Sequence, residues 1–149
     1  MIIDKLNEFA NDLAVTASAI SDVIDLGATP TLRSLSFQNL YLVISVDVQA
    51  TAAGAATVQF SLESDSTADL ATSATVHWQS AAIVKATLAP GYTVVKLPLP
   101  IDATYERYLG VRFTVATGPL TAGKFSAFLT PTPPVSVAYP DPLTPTANE

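Results

Sequence analysis

Short runs of the chain alternate apolar and polar side chains with a period of two. In the run at 40–48, Leu42 and Ile44 fall on the face opposite to Ser45. Successive side chains of a β-strand point to opposite faces of its sheet, so this run predicts a half-buried strand. The alternation recurs in five later runs, at residues 58–62, 75–82, 92–97, 109–115 and 124–130.

Turn residues separate these runs and suggest how they connect. Pro90-Gly91 is a strong turn signal before the run at 92–97. The loop from Thr117 to Gly123 predicts a hairpin between the last two runs. Two weaker β-compatible pieces, at 15–19 and 23–26, precede the first clear strand.

The sequence therefore predicts an all-β fold of seven or eight strands, arranged as a two-sheet antiparallel sandwich. The strand count and the long connection at 27–39 favour a jelly-roll type over an immunoglobulin-like sandwich. Residues 131–149 contain six prolines, a density that no sheet tolerates. We expect an N-terminal arm at 1–12, a sandwich at 13–130 and a Pro-rich extended tail at 131–149.

The two ends carry apolar side chains that could contact a neighbour. Residues 2–13 have helical spacing, so the arm could be a short amphipathic turn or an extended segment. The stiff tail could grip a neighbour with little entropy loss, or be plain linker. The predicted contact residues are Ile2, Ile3, Leu6 and Phe9 in the arm, and Val135, Val137 and Tyr139 in the tail.

Composition indicates an assembling surface. Only 13% of the residues are charged, about half of the usual ~25%. A surface of Thr, Ser, Ala and aliphatic groups is readily dehydrated, which favours association. The sheet edges and aliphatic faces are the candidates for contact between copies.

Charge and hydropathy argue against two classes of partner. The net charge is −6 and the seven Lys and Arg residues are scattered, so we expect no nucleic-acid binding. The longest apolar run, at 40–44, is far short of the ~20 residues that span a bilayer, and the start lacks the features of a secretory signal, so we expect no membrane contact. Acidic residues crowd the N-terminal quarter; they could meet a basic partner or simply be solvated.

Candidate chemistry is sparse. His77 has no recognised nucleophile motif around it, so we expect no enzymatic activity and no cofactor. Trp78 and Tyr92 could stack sugars, although sandwich cores use a Trp as filling. The acidic stretch at 63–69 could bind calcium, but it lacks the pattern of an EF-hand loop and favours a solvated turn. The chain has no Cys, which excludes disulfides and thiolate metal sites.

Several segments in order across residues 1 to about 130 resemble the cement proteins of tailed-phage heads, a family typified by a decoration protein of short-tailed Bordetella phages. These segments are Met1-Ile2-Ile3-Asp4-Lys5 with Phe9, Ala14-Val15-Thr16-Ala17-Ser18-Ala19, Val23-Ile24-Asp25-Leu26-Gly27, Leu40-Tyr41-Leu42-Val43, Thr51-Ala52-Ala53-Gly54-Ala55-Ala56-Thr57, Pro90-Gly91-Tyr92, Leu97-Pro98-Leu99-Pro100, Arg107-Tyr108-Leu109 and Val115-Ala116-Thr117-Gly118-Pro119-Leu120-Thr121-Ala122-Gly123. The tail beyond Pro131 is not part of the resemblance.

The resemblance implies a jelly-roll subunit, made in the host cytoplasm and bound to the outer surface of the capsid. Its implied partners are the major capsid protein, across joints between subunits, and itself, as a homodimer. A trimer, expected of a fibre or tail subunit, is the alternative assembly. The alternative function is a carbohydrate-binding or adhesin-like sandwich on a virion surface.

Overall fold

The computed structural model describes residues 4–28, 39–100 and 104–133, and these form two antiparallel sheets packed face to face. The described residues contain one short 3₁₀ helix, η1, and ten strands. Their bounds are η1 Lys5–Asn7, β1 Glu8–Ala14, β2 Ala19–Ile20, β3 Ile24–Asp25, β4 Tyr41–Thr51, β5 Thr57–Asp65, β6 Thr75–Gln79, β7 Ile83–Val84, β8 Thr93–Pro98, β9 Tyr108–Ala116 and β10 Ala122–Thr130.

The strand order is that of a jelly roll. The four-stranded sheet has the order β1-β10-β4-β8, and the six-stranded sheet has the order β2-β9-β5-β6, with β3 beside β9 and β7 beside β5. The pairs are nested: β1 with β10, β2 and β3 with β9, β4 with β8, and β5 with β6 and β7. Nested antiparallel pairs are what a long hairpin gives when it is rolled into two sheets, which confirms the predicted fold class.

The predicted strands are present, but one predicted pairing is wrong. The runs at 109–115 and 124–130 form β9 and β10, which lie in different sheets and do not make a hairpin. β9 pairs with β5, whereas β10 lies between β1 and β4. Alternation shows which side of a strand is buried, and both strands bury one side in a sandwich whichever sheet they join.

The core between the sheets is centred on three phenylalanines. The rings of Phe60 and Phe113, on the six-stranded sheet, are 5.7 Å apart and cross at 76°. Phe125 reaches in from the four-stranded sheet, with its ring 5.4 Å from Phe60 and 5.8 Å from Phe113. Phe60 meets both other rings edge to face, whereas Phe113 and Phe125 are stacked at 27°. Aromatic contacts of both kinds add to the stabilisation from the area that each ring buries, so this cluster joins the two sheets.

The predicted N-terminal arm differs from the structure at residues 8–12. These residues belong to β1, which pairs with β10 along the edge of the four-stranded sheet. Phe9 is 1% exposed and lies in the core. A core position fits the chemistry of a Phe side chain, because burying it stabilises the fold by about 1.5–3 kcal/mol.

Candidate functional site

The N-terminal segment presents an exposed leucine on a capped turn. The Asp4 carboxylate accepts the Leu6 N–H at 3.0 Å, and the Asp4 carbonyl accepts the Asn7 N–H at 2.9 Å. The first bond caps the N-terminus of η1, and the second is the i to i−3 bond of its 3₁₀ turn. They fix a turn on which the Leu6 side chain is 79% exposed. A large apolar group held so far out of the core is a candidate for contact with another surface.

Leu6 borders a groove at one end of the sandwich, which we call the N-terminal groove. It lies between η1 on one side and the segment 22–26 on the other, and its volume is about 550 Å³. Its lining residues are Lys5, Leu6, Asn7, Glu8, Asp22, Val23, Ile24, Asp25, Leu26, Leu40 and Leu129. Leu40 and Leu129 are buried residues of the core, so the groove borders the core.

Backbone hydrogen bonds hold the two walls of the groove in place. The Asp22 N–H donates to the Phe9 carbonyl at 3.0 Å, which ties the wall at 22–26 to β1. The Leu26 N–H donates to the Arg107 carbonyl at 2.8 Å. Ile24 pairs with Leu109 in the ladder between β3 and β9. The groove is therefore built from parts of both sheets.

The rim of the groove carries more acidic than basic groups. Lys5 donates to Glu8, and this hydrogen bond raises the pKa of Lys5. Arg107 donates two hydrogen bonds to Asp25, at 3.0 and 2.8 Å, and this contact raises the pKa of the guanidinium. The Asp22 carboxylate lies at the rim beside these pairs and carries a further negative charge.

The acidic side chains of the N-terminal quarter are only partly brought together. Glu8, Asp22 and Asp25 line the groove, whereas Asp12 lies elsewhere and accepts a hydrogen bond from Lys124. The sequence signals of the groove were the acidic residues of the N-terminal quarter and the predicted contact residue Leu6. Leu40 and Leu129, which complete it, are distant along the chain and nothing in the sequence joins them.

The two predicted contact residues that the structure describes lie in different environments. Leu6 is exposed at the groove, and Phe9 is in the core. The other five, Ile2, Ile3, Val135, Val137 and Tyr139, lie outside the described residues.

His77 lies in a polar cluster whose serine is closed off from solvent. Its Nε2 is 2.7 Å from the Ser64 hydroxyl, and its ring packs on Tyr105 at 4.4 Å. Ser64 also accepts the Glu106 N–H at 3.0 Å. Ser64 is 0% exposed. The arrangement fits a structural hydrogen-bond chain.

Trp78 and Tyr92 do not form a sugar-stacking platform together. Trp78 is on β6 of the six-stranded sheet and packs against the core. Tyr92 precedes β8 of the four-stranded sheet and is 38% exposed. The position of Trp78 agrees with a core-filling role.

The acidic stretch at 63–69 is folded against the six-stranded sheet rather than solvated throughout. Glu63 is 5% exposed and accepts hydrogen bonds from Arg112 at 2.8 Å and Ser61 at 2.6 Å. Asp65 is buried, which raises its pKa, but hydrogen bonds from Thr67, Ser66 and Ser73 outweigh that effect and lower the pKa overall. Within the described part of the chain, no group of three side chains could hold a metal ion.

Across residues 4–28, 39–100 and 104–133, no helix has both the length and the apolar character needed to cross a bilayer.

Comparison with known proteins gives one family. The family model described as Bbp16 matches residues 9–129, which covers the sandwich from β1 to β10. No curated protein matches the chain. The chain belongs to the Bbp16 family, named for a Bordetella phage protein, and this membership indicates a phage virion protein.

Proposed function

We propose that this protein is a capsid cement protein, which binds the outside of a tailed-phage head and stabilises the joints between major capsid protein subunits. The observation that carries the proposal is membership of a phage protein family over the whole sandwich. The low charge content supports it, because a surface with few charged groups is inexpensive to bury. The partners in this proposal are the major capsid protein and a second copy of the chain.

The mechanism needs adhesion and no chemical step. A DNA-filled shell is pushed apart at its subunit joints, and a protein bound to both sides of a joint adds its binding free energy to the cost of separation. Two linked sandwiches engage one surface more tightly than one, because the second contact is intramolecular. A homodimer suits this mechanism, and a trimer is the alternative.

Leu6 is the contact residue that the structure supports best. Its side chain is 79% exposed on a capped turn beside the acidic rim of the N-terminal groove. Burying one leucine contributes about 1.5–3 kcal/mol, or roughly ten- to hundred-fold in affinity. An aspartate at the same position would have to be dehydrated for the contact to form.

The test uses purified phage heads that lack this protein. We expect the wild-type protein to saturate their outer surface and to raise their resistance to heat, while Leu6→Asp binds at least tenfold more weakly. Val84→Asp is the matched control. Val84 is also exposed, at 52%, but it lies away from the N-terminal groove, on β7 of the six-stranded sheet. Absence of saturable wild-type binding would contradict the proposed function. Equal binding by Leu6→Asp would contradict only the role of Leu6.

A further inference from the structure

The C-terminal segment leaves the sandwich beside the N-terminal groove. Leu129 lines the groove near the end of β10, and the described chain ends at Pro133. A small turn follows β10: the Thr130 hydroxyl donates to the Thr132 carbonyl at 3.2 Å and accepts the Thr132 N–H at 3.3 Å. The chain therefore changes direction at the groove instead of continuing along the strand.

The residues that follow Pro133 are mostly apolar, as is the floor of the groove. Residues 134–140 read Pro-Val-Ser-Val-Ala-Tyr-Pro and contain no charged side chain. Val135, Val137 and Tyr139 occupy alternate positions, which places them on one side of an extended segment. The flanking prolines restrict the backbone before binding, so less conformational entropy is lost on docking.

We propose that the N-terminal groove is the binding site of the chain's own segment 134–140, held through the side chains of Val135, Val137 and Tyr139. The floor of the groove is apolar, with Leu40 and Leu129 at its base and Leu26 on one wall. An extended residue spans about 3.3–3.6 Å, so the few residues after Thr130 are long enough to turn back and enter the groove. The attachment is intramolecular, which gives the segment an effective concentration in the millimolar range.

The negative charges at the rim of the groove determine where the docked segment ends. The rim of the groove carries Glu8, Asp22 and Asp25 against Lys5 and Arg107. An uncharged segment adds no repulsion there, whereas Asp141, the first charged residue of the tail, would meet like charge. The docked part therefore ends at Pro140. This arrangement brings Tyr139 to the same surface as Leu6, and it holds whether or not the protein binds capsids.

Paired cysteines provide a direct test, because the natural chain contains no Cys. Full-length protein carrying Asp22→Cys and Val137→Cys is treated with a short bismaleimide and compared with the control pair Val84→Cys and Val137→Cys. Asp22 and Val84 are both exposed, but only Asp22 lines the groove. We expect cross-linked monomer from the first pair at a rate at least tenfold above the control.

Two results of the cross-linking would overturn the proposal. Equal rates for the two pairs would show that the tail does not prefer the groove. Cross-linked dimers in place of monomers would show that the occupant comes from a second copy.

Amide hydrogen exchange gives a second readout that does not depend on the cysteine variants. In the full-length protein we expect Val137→Asp to speed exchange at residues 23–26 at least tenfold, while exchange in β5 stays unchanged. Exchange at 23–26 that is the same in wild type and Val137→Asp would overturn the proposal.

Discussion

Leu70 covers Gly110 on the outer side of the six-stranded sheet. A Cβ atom added to Gly110 would lie 2.6 Å from Leu70 Cδ1 and 3.1 Å from Val23 Cγ1. Leu70 is 0% exposed and has a left-handed backbone, with φ of 49°, which is uncommon for a residue other than glycine. The loop between β5 and β6 therefore folds back over β9, and the lack of a side chain at Gly110 makes room for it.

Gly110→Ala should destabilise the fold by about 1–3 kcal/mol, because the added methyl overpacks this contact. Chemical denaturation measures the change. Gly54→Ala is the control: the nearest atom to its Cβ, the Thr117 carbonyl oxygen, is 3.7 Å away, so the change should be small. In the variant Gly110→Ala with Leu70→Ala, the two effects should not add. Equal stability of Gly110→Ala and Gly54→Ala would contradict this packing.

Phe9→Ala should cost about 3–5 kcal/mol, because it opens a cavity in the core, where Phe9 is 1% exposed. Leu6→Ala, three positions earlier, should change the free energy of unfolding by no more than about 0.5 kcal/mol, since Leu6 makes its contacts on the surface. Thermal or urea unfolding of both variants separates the strand from the turn before it. If Phe9→Ala changed the free energy of unfolding only slightly, Phe9 would belong to the predicted arm and not to the core.

Arg112→Met should destabilise the protein by about 1–3 kcal/mol, because it leaves the Glu63 carboxylate buried without its cation. The figure is below the ~3–5 kcal/mol of a fully buried pair, since the Arg112 side chain is 30% exposed. Arg107→Met, which breaks the exposed pair with Asp25, is the comparison and should cost at most about 1 kcal/mol. If Arg112→Met and Arg107→Met lower the free energy of unfolding by the same amount, the burial of Glu63 does not determine how much its ion pair with Arg112 stabilises the fold.

The stability should fall as the pH drops below about 6.5. Burial lowers the pKa of His77 from its usual 6.5, against the opposing attraction of Glu106. The unfolded chain therefore binds the proton at a higher pH than the folded chain, and stability is lost as the pH falls from 6.5 through the lower folded value. Denaturation of wild type and His77→Gln between pH 5 and 8 tests this. His77 is the one histidine of the sequence, so the variant should show a flatter profile.

The sequence predicted the positions of the strands better than it predicted which strands pair with each other. The alternation around Ile44 and Phe60 marked the buried faces of β4 and β5, because a side chain's burial depends on its own position in the strand. Pairing depends on loops and on the other sheet, so the expected hairpin of β9 and β10 was wrong. The nested strand order nevertheless agrees with the jelly roll that strand count and loop length favoured.

The candidate site was less predictable than the fold. Leu6 and Phe9 both fit an amphipathic arm, and only the pairing of β1 with β10 separates the exposed side chain from the buried one. The buried state of Glu63 could not be expected from an acidic stretch, because its partner Arg112 is far along the chain. Both cases involve contacts between distant segments, which local patterns do not encode.

We propose that this protein binds the outside of a phage head across the joints of the shell. Electron cryomicroscopy of intact particles tests it most directly. We expect density for the jelly-roll sandwich on the outer surface, with η1 and Leu6 against major capsid protein subunits on both sides of a joint. Intact particles whose outer surface carries no such density, and whose protein content lacks this polypeptide, would contradict the account.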